Sequence, residues 1–324
     1  MVKDWNTDSN ASCLCRIVNN EPWWGKKTWK DWLIDMKLGR FYDKLVAKNL
    51  LEVPIIFRPF HEQTGSWFWW GQKSWDCKKH LGKENVISGS EAYKKLFQMT
   101  VDYLQNERGL ENLIIAWSPD KLCKHDGHTC DDQRAKNDTF TDAEIKKDLL
   151  NSFPGVSMVD IVGIDLYYAE DDGSEQRKLK YQTEVFRKYL RVVTDVANQF
   201  GKVAALTETG NYNLGKELEV HQQAWNQCMQ QKEGQAGAEQ TCGQLGFDKA
   251  RENGRWFTQH LLSLLNDPEV DMAYALTWEN RTKEKKEYYI PFKDHPSFQD
   301  FVDFAKSDSI LFKDDLEGVG EIKP

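Results

Sequence analysis

The stretch VDIVGIDLYY (159–168) decides the fold. A nearly unbroken apolar run of this length reads as a strand buried on both faces, the mark of a parallel sheet covered by helices. Working outward, LIIAW (113–117) and VAALTETG (203–210) have the same character, VPIIFRPF (53–60) opens apolar and β-branched, and MAYALTWEN (272–280) reads as a fifth strand. Between these runs the period changes from two to 3.6. Tyr93, Leu96, Phe97, Val101 and Leu104 form one stripe over 90–107, with Ser90 placed to cap it and Gly109 to stop it. Val185, Phe186, Tyr189, Val193, Val196 and Phe200 recur at helical spacing over about 176–200, and Trp256 to Leu265 repeats the pattern. Lys27 to Leu50 is helix-like, whereas SCLCRIV (12–18) reads as a further strand or as part of the loop after one.

Strands alternating with helices mean either an open doubly wound sheet or a closed (β/α)8 barrel. An open nucleotide-binding sheet should carry a glycine-rich phosphate loop, and neither G-x-G-x-x-G nor a P-loop pattern occurs. The strands end instead in HE, WSPD, DLYY, TETG and TWEN. Polar and aromatic groups at C-terminal strand ends are where a barrel keeps its chemistry, so the (β/α)8 barrel is the expected fold.

Composition narrows the function classes. The 324 residues carry 43 basic and 51 acidic side chains, a net charge of −8 that disfavours nucleic acid. No apolar run approaches the roughly 20 residues of a membrane span. Thirteen Trp residues would suit a sugar-binding cleft as well as a core. The N-terminal MVKDWNTDSNAS has no apolar region of a signal peptide.

The seven cysteines are odd in number. Cys123 with Cys130, and Cys228 with Cys242, lie in polar segments where disulfides are expected, and one of Cys13 and Cys15 is paired with Cys77. His125 and His128 make the 123–130 loop a conceivable metal site, although four ligands within eight residues are unlike zinc spacings.

Two carboxylates stand out at strand ends, Glu62 and Glu208. Alternation along a strand puts Arg58, Phe60 and Glu62 on one face, Asp165 with Tyr167, and Leu206 with Glu208. Taken singly, such a Glu is most often solvated or salt-bridged. Two from different strands form the minimal kit for glycoside hydrolysis, one protonating the leaving oxygen and one attacking the anomeric carbon or activating water.

FRPFHEQTGSWFWWG (57–71) closely resembles the acid/base strand segment of the β-mannanases of glycoside hydrolase family 26, with AWSPD, GIDLYY, TETG and YALTWEN following in that family's order. The resemblance implies a (β/α)8 barrel in which Glu62 is the general acid/base and Glu208 the nucleophile of a retaining mechanism. It implies that His61 shapes the subsite of the sugar under attack, that Tyr167 orients the nucleophile, that Trp67 and Trp278 are sugar platforms, and that Arg58 and Asp165 belong to the site floor. Apolar neighbours such as Phe60 and Trp67 would raise the pKa of the acid/base by desolvation. Trp69, Trp70 and Trp117 are as readily core residues, and Trp23, Trp24, Trp29 and Trp32 read as structural.

The resemblance puts Glu62 at the end of a fourth strand, but only 61 residues precede it, so two or three βα units are expected to be missing from a single catalytic domain over 1–324. Segment 211–247 is expected to be a long loop on the catalytic face, either a cleft wall or a variable surface insertion. The expected substrate is β-1,4-mannan, with β-1,3-xylan or mixed-linkage β-glucan as alternatives, and a non-catalytic glycan-binding fragment as the reading from another class. The protein is expected to be secreted and monomeric, with no cofactor or metal.

Overall fold

The computed structural model describes residues 12–121, 140–168, 179–212, 214–250, 255–281, 288–312 and 315. A short antiparallel hairpin, β1 (Pro22–Trp24) and β2 (Lys27–Thr28), precedes the main sheet. That sheet contains β3 (Ile55–Phe57), β4 (Leu113–Trp117), β5 (Ile161–Tyr168), β6 (Val203–Asn211) and β7 (Ala275–Thr277), ordered as in the chain. Ile55, Ile56 and Phe57 pair in parallel with Leu113, Ile114 and Ile115, and Ala116–Trp117 pair with Ile161–Val162. At the far side Ala273 donates to Ala204 O and Leu206 to Tyr274 O, so that register also advances in parallel. Sequential parallel strands joined by helices are consecutive βα units, as the residue pattern predicts.

The chain divides into two compact units, Met1–Asp165 with Tyr189–Thr207 and Met272–Tyr274, and Leu166–Lys188 with Glu208–Asp271 and Ala275–Pro324. β5 and β6 each begin in the first and end in the second. Both strands are buried almost throughout, in keeping with their apolar runs.

In the first unit, helix Ser90–Val101 buries Tyr93, Leu96, Phe97 and Val101, the stripe read from the sequence, and a π-turn over Asp102–Glu107 carries it to Gly109 at φ +67°. Ser90 does not cap this helix. The N-cap is Gly89, with no side-chain cap, and Ser90 Oγ instead bonds Asn151 Oδ1 at 3.2 Å. SCLCRIV is not a strand: Cys13–Val18 is a helix with Leu14, Ile17 and Val18 on its buried side, and Cys15 is bridged to Cys77. All of its six residues but Arg16 are buried, and so short a segment displays no helical period. The helical region after Lys27 runs through Trp29–Leu33, Ile34–Leu38 and Gly39–Ala47, started by a capping box between Thr28 and Asp31.

In the second unit, the segment read as a long loop is largely helical, Leu214–Gln231 followed by Ala238–Ala250, with Cys228–Cys242 clamping the pair. Its Gln, Glu and Ala residues favour helix but supply no clear apolar stripe. Cys123, Cys130, His125 and His128 lie outside the described residues. Cys13 is a buried thiol, its pKa raised by burial against a smaller lowering by Arg16. Among the described residues, no helix is long and apolar enough to cross a membrane.

The second unit encloses one histidine completely. His260 shares a 2.8 Å hydrogen bond with Thr183 Oγ1 and is boxed by Phe186, Tyr168 and Trp256. Burial, with a smaller contribution from the Arg187 cation, lowers its pKa from 6.5 to about 3. Between those values the unfolded chain binds more protons than the folded one, so stability is fully present above 6.5 and declines as pH falls towards 3. The slope from this one group reaches about 1.4 kcal/mol per pH unit. Urea unfolding across this window should show a shallower pH dependence for His260→Gln than for the parent. Equal slopes would exclude His260 as the source.

Candidate active site

In the first unit the site is built around a buried carboxylate. Asp165, with no solvent exposure, accepts from Arg58 Nη1 at 2.8 Å and from Thr207 Oγ1 at 2.6 Å. Arg58 Nη1 also donates to Ser118 Oγ at 2.9 Å, and the Asp165 N–H donates to Pro119 O at 2.9 Å. A desolvated carboxylate needs such partners, because an unpaired buried charge is costly. Room for this packing comes from Gly163, where a Cβ would lie 2.4 Å from Thr207 Cγ2 and 3.1 Å from Ser118 Cβ. Beside it, Tyr274 packs against Ala116, Ile161 and Ala205; burial raises its pKa, with Arg58 lowering it and Asp165 raising it to lesser extents.

Glu62 follows β3 on a segment that leaves strand geometry. Phe60 and Glu62 both have φ +52°, unusual for residues with a Cβ and costing of order 1–3 kcal/mol each. The regular two-residue alternation therefore breaks after Phe57: Phe60 turns to the indoles, whereas Arg58 and Glu62 still converge on Asp165, a Glu62 carboxylate oxygen lying within 4.8 Å of one of its own. Arg58 reaches Asp165, Phe60 lies edge-on to Trp69 and Trp70, and Glu62 accepts from Trp67 Nε1 at 2.6 Å. The strained turn is held by its backbone: Glu62 N–H donates to Ser118 O at 2.8 Å, Gly65 N–H to Glu62 O at 2.9 Å, and Tyr93 OH to Phe60 O at 3.2 Å. Burial pushes the Tyr93 phenol well above its ordinary range, so it remains a donor.

Trp67 is 41 % exposed and its ring lies over Gly65, where a Cβ would be 2.4 Å from the indole. His61 faces Phe68 at 4.8 Å between ring centroids, and its carbonyl accepts from Trp70 Nε1 at 2.7 Å. Trp69 and Trp117 are buried and Trp70 stacks on Phe68 at 4.4 Å, so these three serve packing. Trp23, Trp29 and Trp32 form an aromatic cluster, but Trp24, expected to be structural, is 78 % exposed. Its neighbour Trp23 takes the packed side of the short strand.

In the second unit Glu208 is buried and its Oε2 accepts from Tyr167 OH at 2.7 Å. Tyr167 is part of a three-ring cluster with Tyr212 and Tyr289, at centroid distances of 5.3, 5.8 and 5.5 Å. Tyr289 packs on Gly210, where a Cβ would fall 2.4 Å from its ring. Asn280 Oδ1 accepts from the Tyr289 and Ile290 N–H groups, and its amide returns a bond to Ile290 O. Trp278 is anchored through its backbone N–H to Thr209 O at 2.9 Å, and the Arg281 guanidinium lies 5.8 Å from its ring centroid.

Sequence reasoning missed Ser118, Thr207, Tyr212 and Tyr289. The first two lie inside AWSPD and TETG, where a buried Asp165 in need of donors was the available signal. Tyr289, far along the chain, left none.

The family model of glycosyl hydrolase family 26 matches residues 27–227, more than half of the chain, and the chain belongs to that family. Among curated relatives, a mannan endo-1,4-beta-mannosidase of Bifidobacterium adolescentis is 35 % identical over 158 residues, 49 % of this chain and 12 % of that protein. One from Bacillus subtilis is 33 % identical over 137 residues, 42 % of this chain and 30 % of that protein. Among solved structures, a GH26 β-mannanase from Bacteroides ovatus is 27 % identical with a TM-score of 0.53, over 86 % of this chain and 59 % of its own. A GH26 protein of Muricauda sp. is 25 % identical with a TM-score of 0.62, over 96 % and 63 %. The chain thus spans less than two thirds of the relatives it matches, and its fold is a partial (β/α)8 barrel.

Replacing Arg58 by Met would leave Asp165 buried without its cation. Chemical unfolding of Arg58→Met should show a loss of about 3 kcal/mol, and Arg58→Lys, which can keep one contact, a smaller one. A Met variant as stable as the parent would refute the dependence of Asp165 on Arg58.

Proposed function

We propose that this chain is a retaining endo-β-1,4-mannanase that cleaves mannan by double displacement. The observation that carries the reading is the buried Glu208 carboxylate held through one oxygen by the Tyr167 hydroxyl. A donor to one carboxylate oxygen fixes the plane of the group, which is what a nucleophile needs. The names of the family 26 relatives support mannan as the polymer.

In the first step Glu208 attacks the anomeric carbon while Glu62 gives its proton to the departing glycosidic oxygen. In the second, Glu62 takes a proton from water, which attacks the same carbon and releases Glu208. Inversion twice gives net retention. Trp67 offers an exposed indole beside Glu62 and donates to it, so it serves as a sugar platform and as an orienting group for the acid/base. Trp278 is the second platform, His61 shapes the subsite of the sugar under attack, and Arg58 with Asp165 forms the floor. Two disulfides among the described residues support an oxidising, extracellular location.

The test is reducing-sugar release from mannan, β-1,3-xylan and lichenan, with NMR of the first anomer formed. Mannan should be cleaved fastest, with retention. Glu208→Ala should lose at least about a thousandfold in turnover, and Tyr167→Phe about 10- to 100-fold, the worth of one hydrogen bond to a charged group. No release from any of the three polymers would sink the enzymatic reading, and inverted first products would sink the double displacement.

A further inference from the structure

A second concavity in the first unit is separate from Glu62 and its contacts. It has a volume of about 1150 Å³ and lies among the Gln72–Asp76 segment, the first turn of helix Ser90–Val101 and the last turns of helix Asp142–Asn151. Its lining mixes apolar and polar surface and carries both signs of charge. Lys73, Lys79 and Lys147 contribute cations, Asp76 and Asp148 anions, and Asn151 an amide.

We propose that this groove is a non-catalytic glycan-binding site for a neutral, polyhydroxylated chain, in practice the same β-mannan on which the proposed activity acts. Three features carry the assignment. The first is size, since the volume exceeds the range of about 300–1,000 Å³ usual for small-molecule sites, and the open groove suits a chain. The second is the interspersed charge. An anionic ligand would meet Asp76 and Asp148, and a cationic one the three lysines. A sugar hydroxyl donates and accepts at once, so a neutral polyol can use both sets without meeting a like charge. The third is continuity with the candidate site. The Trp75 indole, on the groove wall, donates to Trp70 O at 3.0 Å, and the Trp70 indole donates to His61 O at 2.7 Å. Gln72 N–H donates to Gln63 O at 3.0 Å, next to Glu62. Groove and acid/base loop are therefore parts of one hydrogen-bonded body.

Around the groove, Gly89 N–H and Ser88 Oγ both donate to Trp75 O, at 2.8 and 3.1 Å, and Ser90 Oγ donates to Asn151 Oδ1 at 3.2 Å on the rim. A glycan held there would raise the local concentration of substrate for the catalytic residues without adding a contact to the reacting sugar.

The inference rests on the mannanase reading for its ligand, and the experiment separates the two. Lys147→Ala/Asn151→Ala removes one cation and one amide from the exposed rim. In a Glu208→Ala background, calorimetry with mannohexaose should give two sites, and one site once the rim pair is also changed. With Glu208 intact, the rim variant should hydrolyse short soluble manno-oligosaccharides at the parent rate but insoluble mannan about three- to tenfold more slowly. A thermal melt matching the parent's excludes misfolding, and if the pair melts early, Lys79→Ala serves instead. One site in the parent background, or an unchanged rate on insoluble mannan, overturns the groove while leaving the catalytic reading intact. Calorimetric binding without hydrolysis by the intact chain overturns the catalytic reading alone. Displacement of mannohexaose from the rim-dependent site by polygalacturonate overturns the neutral-ligand assignment.

Discussion

The buried carboxylate of Asp165 constrains everything around it. A group with no exposure has to be neutralised where it stands. Arg58 comes to it from just beyond β3, Thr207 from β6, and Ser118, just after β4, braces the arginine. Parallel strands have no turn to fix their pairing, so a polar clamp at the strand ends does for this sheet what a tight turn does for a hairpin. A one-residue slip of β5 would put Asp165 on the wrong face and leave Arg58 and Thr207 without their acceptor. Gly163 is the steric counterpart of the clamp, since any side chain there would occupy the space of Thr207.

Around this clamp the aromatic residues divide by the use of their polar edge. Trp70 and Trp75 turn their indole N–H groups to backbone carbonyls and so act as rigid struts. Trp67 turns its N–H to a carboxylate and leaves much of its ring to solvent. The same residue type thus either braces the scaffold or presents its ring to solvent, and the acceptor it meets decides which. Tyrosines divide likewise: Tyr93 braces the backbone of Phe60, while Tyr167 holds Glu208.

The sheet was legible because its strands are long apolar runs between amphipathic helices, and burial leaves little choice for VDIVGIDLYY or VAALTETG. The carboxylates were legible because their local sequence is unusual, although Glu208 lies within β6 and Glu62 five residues beyond β3. Alternation failed at Phe60 and Glu62 because their positive φ values break the two-residue period, and no sequence rule assigns that conformation to a phenylalanine. SCLCRIV is too short to distinguish one helical turn and a half from a strand. The 214–250 helices are polar enough to pass for loop, since their pairing depends on a disulfide rather than on an apolar stripe. Tyr289 joins Tyr167 through tertiary packing across more than a hundred residues of chain, which local pattern does not record.

The left-handed backbone at Glu62 has a consequence for how sequence change is tolerated. Glycine and asparagine accept φ near +52° far more readily than glutamate does. A replacement by either would relieve strain while discarding the carboxylate, so under the proposed acid/base role of Glu62 the most stable sequence at this position is an inert one. Directed evolution that ranks variants by melting temperature would drift away from activity here, and only selection for turnover would keep the glutamate in place.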